Sequence, residues 1–349
     1  MKGVVWHGPY DVRVVEDLPL PQIEKPDDAI IRVTRSAICG TDLHPYRGEI
    51  PDFQQQTLLG HEFTGIIEEV GPAVRDLRRG DRVLASDVIA CGMCWFCRRG
   101  WHYQCEQVSL FGYGTVVGSY VPGGQADYVR IPFANVVLSK VPEALTDEQV
   151  LFVGDILTTG YTCARAGEVH PGAVVAVVGC GPVGLFALMS AQLLGASRVL
   201  AIDPDPKRRA MAETLGGQAL TPDDSLDEQV RQLTGGRGAD VVLEAVGTDH
   251  ALITALNIVR AKGTISAVGA HHATAMPFPT GQAFGRELTI RFAVGDPISS
   301  RDELIPLLEA GRLDTTAIIS HRLPLLEAAR GYELFDRREA TKVVLVPEA

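Results

Sequence analysis

Apolar and polar positions follow one rhythm over the first part of the chain and another over the second. Up to about residue 140, segments such as DAIIRVTRSAI, TGIIEEVG, GDRVLAS and ADYVRIP read as short strands bounded by Pro, Gly and other turn residues. From about Pro171 the order becomes strand, glycine turn, helix, strand. AVVAVVG is too apolar for a strand with one wet face and suits the inside of a parallel sheet. PVGLFALMSAQLLGA follows as a helix ending near Gly195. RVLAIDPD then reads as a strand, KRRAMAETLGG as a helix, ADVVLEAVG and GTISAVGA as strands, and RELTIRFAV as a strand at the far edge. The tail ELIPLLEAGRL and LLEAARGYELFDRREATKVVLV reads helix, helix, strand. This alternation predicts a doubly wound α/β domain, and no solenoid repeat interrupts it.

Length adds a second domain: 349 residues exceed one ordinary core. Acidic and basic residues are interspersed around a net charge of −11, which opposes attraction to a phosphate backbone or an anionic membrane. Neither nucleic acid nor membrane is therefore an expected partner, and a small-molecule substrate is. The N-terminal MKGVVWHGPYDVRVVED has neither the apolar core nor the cleavage site of a signal peptide, so a cytoplasmic location is the expectation.

The first candidate chemistry lies between strand and helix, at Gly179-Cys180-Gly181-Pro182-Val183-Gly184. A bare GxGxxG is weak, but here a buried strand precedes it, a helix follows it, and Asp203 ends the next strand. Gly179 permits the tight turn, Gly181 lets the backbone approach a pyrophosphate, and Gly184 lets the helix pack close. Asp203 is placed to accept hydrogen bonds from the adenosine ribose and to repel a 2′-phosphate, so NAD is favoured over NADP. Lys207 and Arg208 follow closely; meeting a 2′-phosphate is one role for them, and a solvated first helical turn is the favoured one.

Four of the seven cysteines, Cys91, Cys94, Cys97 and Cys105, stand in CGMCWFCRRGWHYQC. Four thiolates complete a tetrahedron around zinc and leave no place for substrate, which predicts a structural site. Arg98 and Arg99 alone do not make the basic face of a nucleic-acid module, and a redox pair needs no further cysteines. Elsewhere, Cys39 and His61 are a thiol and an imidazole twenty-two positions apart, for which structural and metal-binding roles both stand open.

The segments CGTDLH, GHE, GDILTTGY and GCGPVG, with the four-cysteine lobe, occur in an order that resembles the medium-chain zinc-dependent alcohol dehydrogenases over nearly the whole chain. The resemblance implies a GroES-like, partly β catalytic domain (1–154, completed by 296–349) and a Rossmann domain (155–295), with the active site in the cleft between them. It implies that Cys39 and His61 bind a catalytic zinc, the second zinc of the chain. The third ligand, a cysteine in many members, falls on Asp155, as in bacterial secondary-alcohol dehydrogenases; a carboxylate carries the same single charge. Counting charge then makes Glu62 an intermittent or outer ligand, and Asp42 the acceptor for the free ring N–H of His61. Thr41 and His44 are the expected proton route from substrate to water. The resemblance further puts Thr159 and Val183 against the nicotinamide, Val268 at its carboxamide and Lys342 near the pyrophosphate, while Gly40 replaces a basic residue of the family. His102, His271 and His272 match no motif and read as ordinary histidines.

These readings together predict an NAD-dependent dehydrogenase of secondary or small primary alcohols. A polyol or amino-alcohol dehydrogenase is the alternative within the superfamily, and a non-catalytic zinc-stabilised binding protein the alternative outside it. A homo-oligomer is expected, a tetramer favoured over a dimer, through the edge strand in RELTIRFAV.

Overall fold

Tertiary contacts divide the chain into two units, Met1–Thr158 with Asp296–Ala349, and Thr159–Gly295. The structure, a computed structural model, describes residues 1–271, 275–276 and 278–347; His272 lies outside the described residues. The first boundary falls after Thr158, four positions beyond the expected one. Gly154 fits so closely over the Ala85 carbonyl that a Cβ there would sit 2.4 Å from its oxygen. The Thr158 hydroxyl donates to the Val153 carbonyl at 2.7 Å. Both contacts hold Asp155 in the first unit.

The second unit is built on six parallel strands in the order Gln218–Leu220, Arg198–Ile202, Val174–Val178, Ala239–Glu244, Val259–Ala267 and Thr289–Phe292. Val174–Val178 is central and nearly all buried, as its unbroken apolar run requires. Gln218–Leu220 is too short and polar to stand out in the sequence, and it forms the edge opposite Thr289–Phe292.

In the first unit a seven-stranded sheet runs His321–Pro324, Val343–Val346, Ala29–Ile38, Glu62–Val70, Arg82–Ala85 and Leu138–Lys140, with Tyr128–Ile131 also on Ala29–Ile38. Its register positions the chemistry. Ile38 pairs with Val343, and Ala37 pairs with Glu62. Cys39, His61, Glu62 and Lys342 therefore arrive at one end of three adjacent strands. The four cysteines occupy a loop with a small core of its own, in which Val88, Ala90 and Ile298 pack on Cys91, Cys97 and Cys105.

Candidate metal centres and cofactor turn

Cys39, His61 and Asp155 each bring one donor atom, and these atoms lie within 4.8 Å of one another. Cys39 Sγ is 3.3 Å and His61 Nε2 3.4 Å from Asp155 Oδ2. Ligands at zinc distances in a tetrahedron stand about 3.5 Å apart, so the spacing fits that ion. The electrostatics fit it too. Burial, then the carboxylates of Asp155 and Glu62, push the Cys39 thiol up to about 12. Burial alone would lower His61, but Asp42 and Cys39 raise it well above its ordinary value. Asp155 is held low, because hydrogen bonding to His61 and its charge outweigh burial. A thiol, an imidazole and a carboxylate buried together call for a cation that lets the sulfur ionise.

Behind these donors runs a chain of polar contacts. Asp42, in the helix Gly40–Tyr46, has its Oδ1 3.4 Å from His61 Nδ1. Its Oδ2 accepts from the Cys39 backbone N–H at 2.9 Å and from Gln125 Nε2 at 3.2 Å. Tyr332 in turn donates its hydroxyl to Gln125 Oε1 at 2.8 Å. Gln125 and Tyr332 carry no motif, so sequence reasoning missed them. In the same helix Thr41 is half-buried, and His44 Nδ1 meets Glu49 Oε2 at 2.6 Å.

Lys342, which the resemblance puts near the pyrophosphate, turns to a carboxylate within the first unit. It has no exposed surface, its Nζ pairs with Glu62, and it stands 5.4 Å from the centre of the Phe152 ring. The cause is the strand register, which sets Lys342 opposite the end of Ala29–Ile38 and turns it inward. Glu62 lies outside the three-donor group; burial first, with Lys342 opposing, leaves its carboxyl at about 7.

The donor sulfurs of Cys91, Cys94, Cys97 and Cys105 also lie within 4.8 Å of one another. Pairs stand 4.0 Å apart, close to the edge of a zinc–thiolate tetrahedron, and none is in a disulfide. Backbone N–H groups donate to Cys94 and Cys105, and those of Cys97 and Glu106 hold the Cys94 thiol down at about 6. His102, read as ordinary, is a clamp. Its backbone N–H donates to Asp296 Oδ2 at 2.7 Å and its ring Nδ1 lies 3.0 Å from Oδ1, which ties the lobe to the cap of helix Pro297–Glu309.

In the second unit Gly179 has φ +92°, and a Cβ on Gly184 would fall 1.8 Å from the Gly179 oxygen. Pro182 opens the helix Pro182–Leu193, capped by Gly181, with Val183 half-buried in its first turn. Asp203 is nearly inaccessible and accepts the Cys180 and Asp205 N–H groups, both at 2.8 Å. Arg208 Nη1 stands 3.8 Å from Asp203 and reaches over Gly181, whereas Lys207 is exposed. Val268 donates its N–H to the Glu244 carbonyl, and Thr159 packs on Gly295. A carboxylate missed in sequence, Glu244, accepts the Val246 and Gly247 N–H groups at 2.8 Å and meets His271 at 3.1 Å.

Residues 25–143 match the family described as alcohol dehydrogenase GroES-like domain, and residues 182–310 match zinc-binding dehydrogenase. The chain is 39% identical to an uncharacterized zinc-type alcohol dehydrogenase-like protein of Bacillus subtilis, over 99% of this chain and 100% of that one. An alcohol dehydrogenase of Cupriavidus necator is 34% identical, with 99% of each chain covered. Among solved structures, alcohol dehydrogenase TADH from Thermus sp. ATN1 is similar over 100% of both chains, at a TM-score of 0.96 and 44% identity.

Proposed function

This chain belongs to the zinc-type alcohol dehydrogenase family and is an oxidoreductase; from that premise we propose that it interconverts a secondary or small primary alcohol with its ketone or aldehyde, using NAD and two zinc ions per chain. The carrying observation is the convergence of a sulfur, a ring nitrogen and a carboxylate oxygen from three remote segments at one end of the first unit's sheet.

What zinc supplies in such a donor set is Lewis acidity, which brings the pKa of an alcohol hydroxyl toward neutrality. What NAD supplies is an acceptor for hydride. The chain's own residues do the rest. Asp42 faces Nδ1 of His61 and so leaves Nε2 as the ligand atom. Lys342 compensates Glu62, so the donor set carries only the charges of Cys39 and Asp155, matched to a divalent ion. Thr41 and His44 lie three residues apart on one short helix, and Glu49 orients the imidazole that hands the proton on to water. Asp203, held beside the glycine turn, supports NAD over NADP.

We infer a cytoplasmic enzyme that self-associates through Thr289–Phe292, with a tetramer favoured over a dimer. No helix among the described residues is long and apolar enough to cross a membrane.

Metal analysis of the purified protein is expected to give two zinc ions per chain, with NADH formed from short alcohols. One zinc and no turnover of any alcohol would favour the non-catalytic reading of the fold. Asp155→Asn is expected to abolish turnover and leave the four-cysteine zinc in place. Asp203→Ala is expected to shift the kcat/KM ratio toward NADP, and an unchanged ratio would remove Asp203 from the ribose.

A further inference from the structure

The order of strands in the second unit reverses at one point. From Val174–Val178 the chain moves outward to Arg198–Ile202 and Gln218–Leu220, then returns to Ala239–Glu244 on the other side. In an open parallel sheet a dinucleotide lies across the crevice at such a reversal, outside the carboxyl ends of the strands. The glycine turn fits that ligand: the nearest atoms to a Cβ built on Gly181 belong to Arg208, 3.8 Å away. With Asp203 taking the adenosine ribose beside Arg198–Ile202, the nicotinamide half is left the ends of Ala239–Glu244 and Val259–Ala267.

One side chain ties those two ends together. Glu244 stands in register between Val178 and Ala267, and its side chain has no exposed surface. Oε1 accepts the N–H groups of Val246 and Gly247, which folds the turn after its own strand back onto it. That turn packs on the glycine turn, since a Cβ on Gly179 would fall 2.5 Å from Val246 Cγ2. The Glu244 carbonyl accepts the Val268 N–H at 2.9 Å, and Gly269 lies so close to Gly247 that a Cβ on it would overlap the Gly247 backbone. Oε2 meets His271 Nε2 at 3.1 Å, the one side chain bonded to Glu244 among the described residues. The imidazole is held from its other side by Phe292, edge to face, with ring centres 5.5 Å apart.

We propose that Glu244 and His271 are a positioning pair for the cofactor. The carboxyl group of Glu244 fixes the turn 245–247 against the glycine turn, and its bond to His271 fixes the loop 268–271 beside it. Both walls of the crevice are then in place before the nicotinamide half arrives. This rests on the dinucleotide reading of the second unit and deepens it. Removing the imidazole leaves a buried acceptor without its donor and frees the loop, so the cofactor must order that loop on binding, at a cost in affinity. The pair lies wholly in the second unit, apart from the three donors Cys39, His61 and Asp155.

The test reads binding without turnover. The zinc-loaded protein is titrated with NADH, and in parallel with NADPH, by nicotinamide fluorescence. His271→Leu is expected to raise the Kd of the tighter dinucleotide about tenfold, with the alcohol KM and zinc content near wild type. His271→Gln keeps an N–H donor at about the reach of Nε2 and is expected to restore most of that affinity, which a loss of packing alone would not allow. Hydrogen exchange in His271→Leu is expected to quicken over 268–271 and to slow again when NADH is added. Unchanged dinucleotide affinity in His271→Leu, or a loss that His271→Gln leaves unrestored, overturns the pairing and leaves the dehydrogenase reading standing. A wild type that binds neither NADH nor NADPH overturns the cofactor reading itself.

Discussion

A lysine with no exposed surface survives in a protein interior only beside its counter-charge. Lys342 has one in Glu62, equally buried, and both act on the Cys39 thiol of the three-donor group. Breaking such a pair leaves an uncompensated charge, at a cost of about 3–5 kcal/mol, whereas removing both charges is often nearly neutral. Lys342→Met is therefore expected to lower the unfolding free energy by about that amount in denaturant titrations. The double variant Lys342→Met/Glu62→Gln should recover most of the loss. If Lys342 met the cofactor instead, the second change would rescue nothing, and the single variant would raise the KM for NAD with little effect on stability.

At the scale of elements, the helix Asp147–Leu151 shows how one acidic turn secures a sheet. Asp147 takes Arg82 at 2.7 Å, and Glu148 takes Arg322 at 2.8 Å and Arg35 at 3.3 Å, so three strands are tied to one helix. The hydrogen bond from Arg322 leads in holding Glu148 below its ordinary 4.5, against burial and with help from Arg35. A lowered carboxylate stabilises the fold above its unfolded pKa, and that contribution is lost as pH falls through the folded value. Glu148→Gln is accordingly expected to lower Tm by about 2–4 °C at neutral pH, for roughly 1 kcal/mol. The gap from wild type should close as the pH drops below 4.5. A gap of constant size down to low pH would mean that packing, not charge, carries the effect. This helix also marks what was legible in the chain. Cys91 to Cys105 and Gly179 to Gly184 could be read because their partners are neighbours in sequence. Glu148 with Arg322, His102 with Asp296 and Lys342 with Glu62 could not, because strand register and the return of the chain set those meetings. Asp155 lay between these cases. Its motif marked it, but only the contact of Gly154 with Ala85 shows why it turns toward Cys39.

At the scale of the whole molecule, one of the two edge strands of the second unit's sheet carries apolar side chains. Among the described residues Thr289–Phe292 pairs only with Val259–Ala267, which leaves its outward amides and carbonyls without a strand partner there. Apolar side chains gather there against the trend of a chain with net charge −11: Phe292 is 65% exposed, Val294 50%, and Phe284, in the preceding helix Thr280–Gly285, 87%. Exposed aromatic groups beside an unpaired strand favour a second copy, since a two-fold axis joins like edges and buries the same residues from both chains. Sedimentation is expected to give an assembly of at least two chains that does not dissociate in high salt, because apolar burial and backbone pairing are not screened. Phe292→Lys sets like charges against each other across the proposed axis and should lower the mass toward that of one chain. The donor set at Cys39, His61 and Asp155 belongs to the other unit, so zinc content should be unchanged in the variant. A wild type that sediments as a single chain, or a Phe292→Lys variant of unaltered mass, would put the contact elsewhere or remove it.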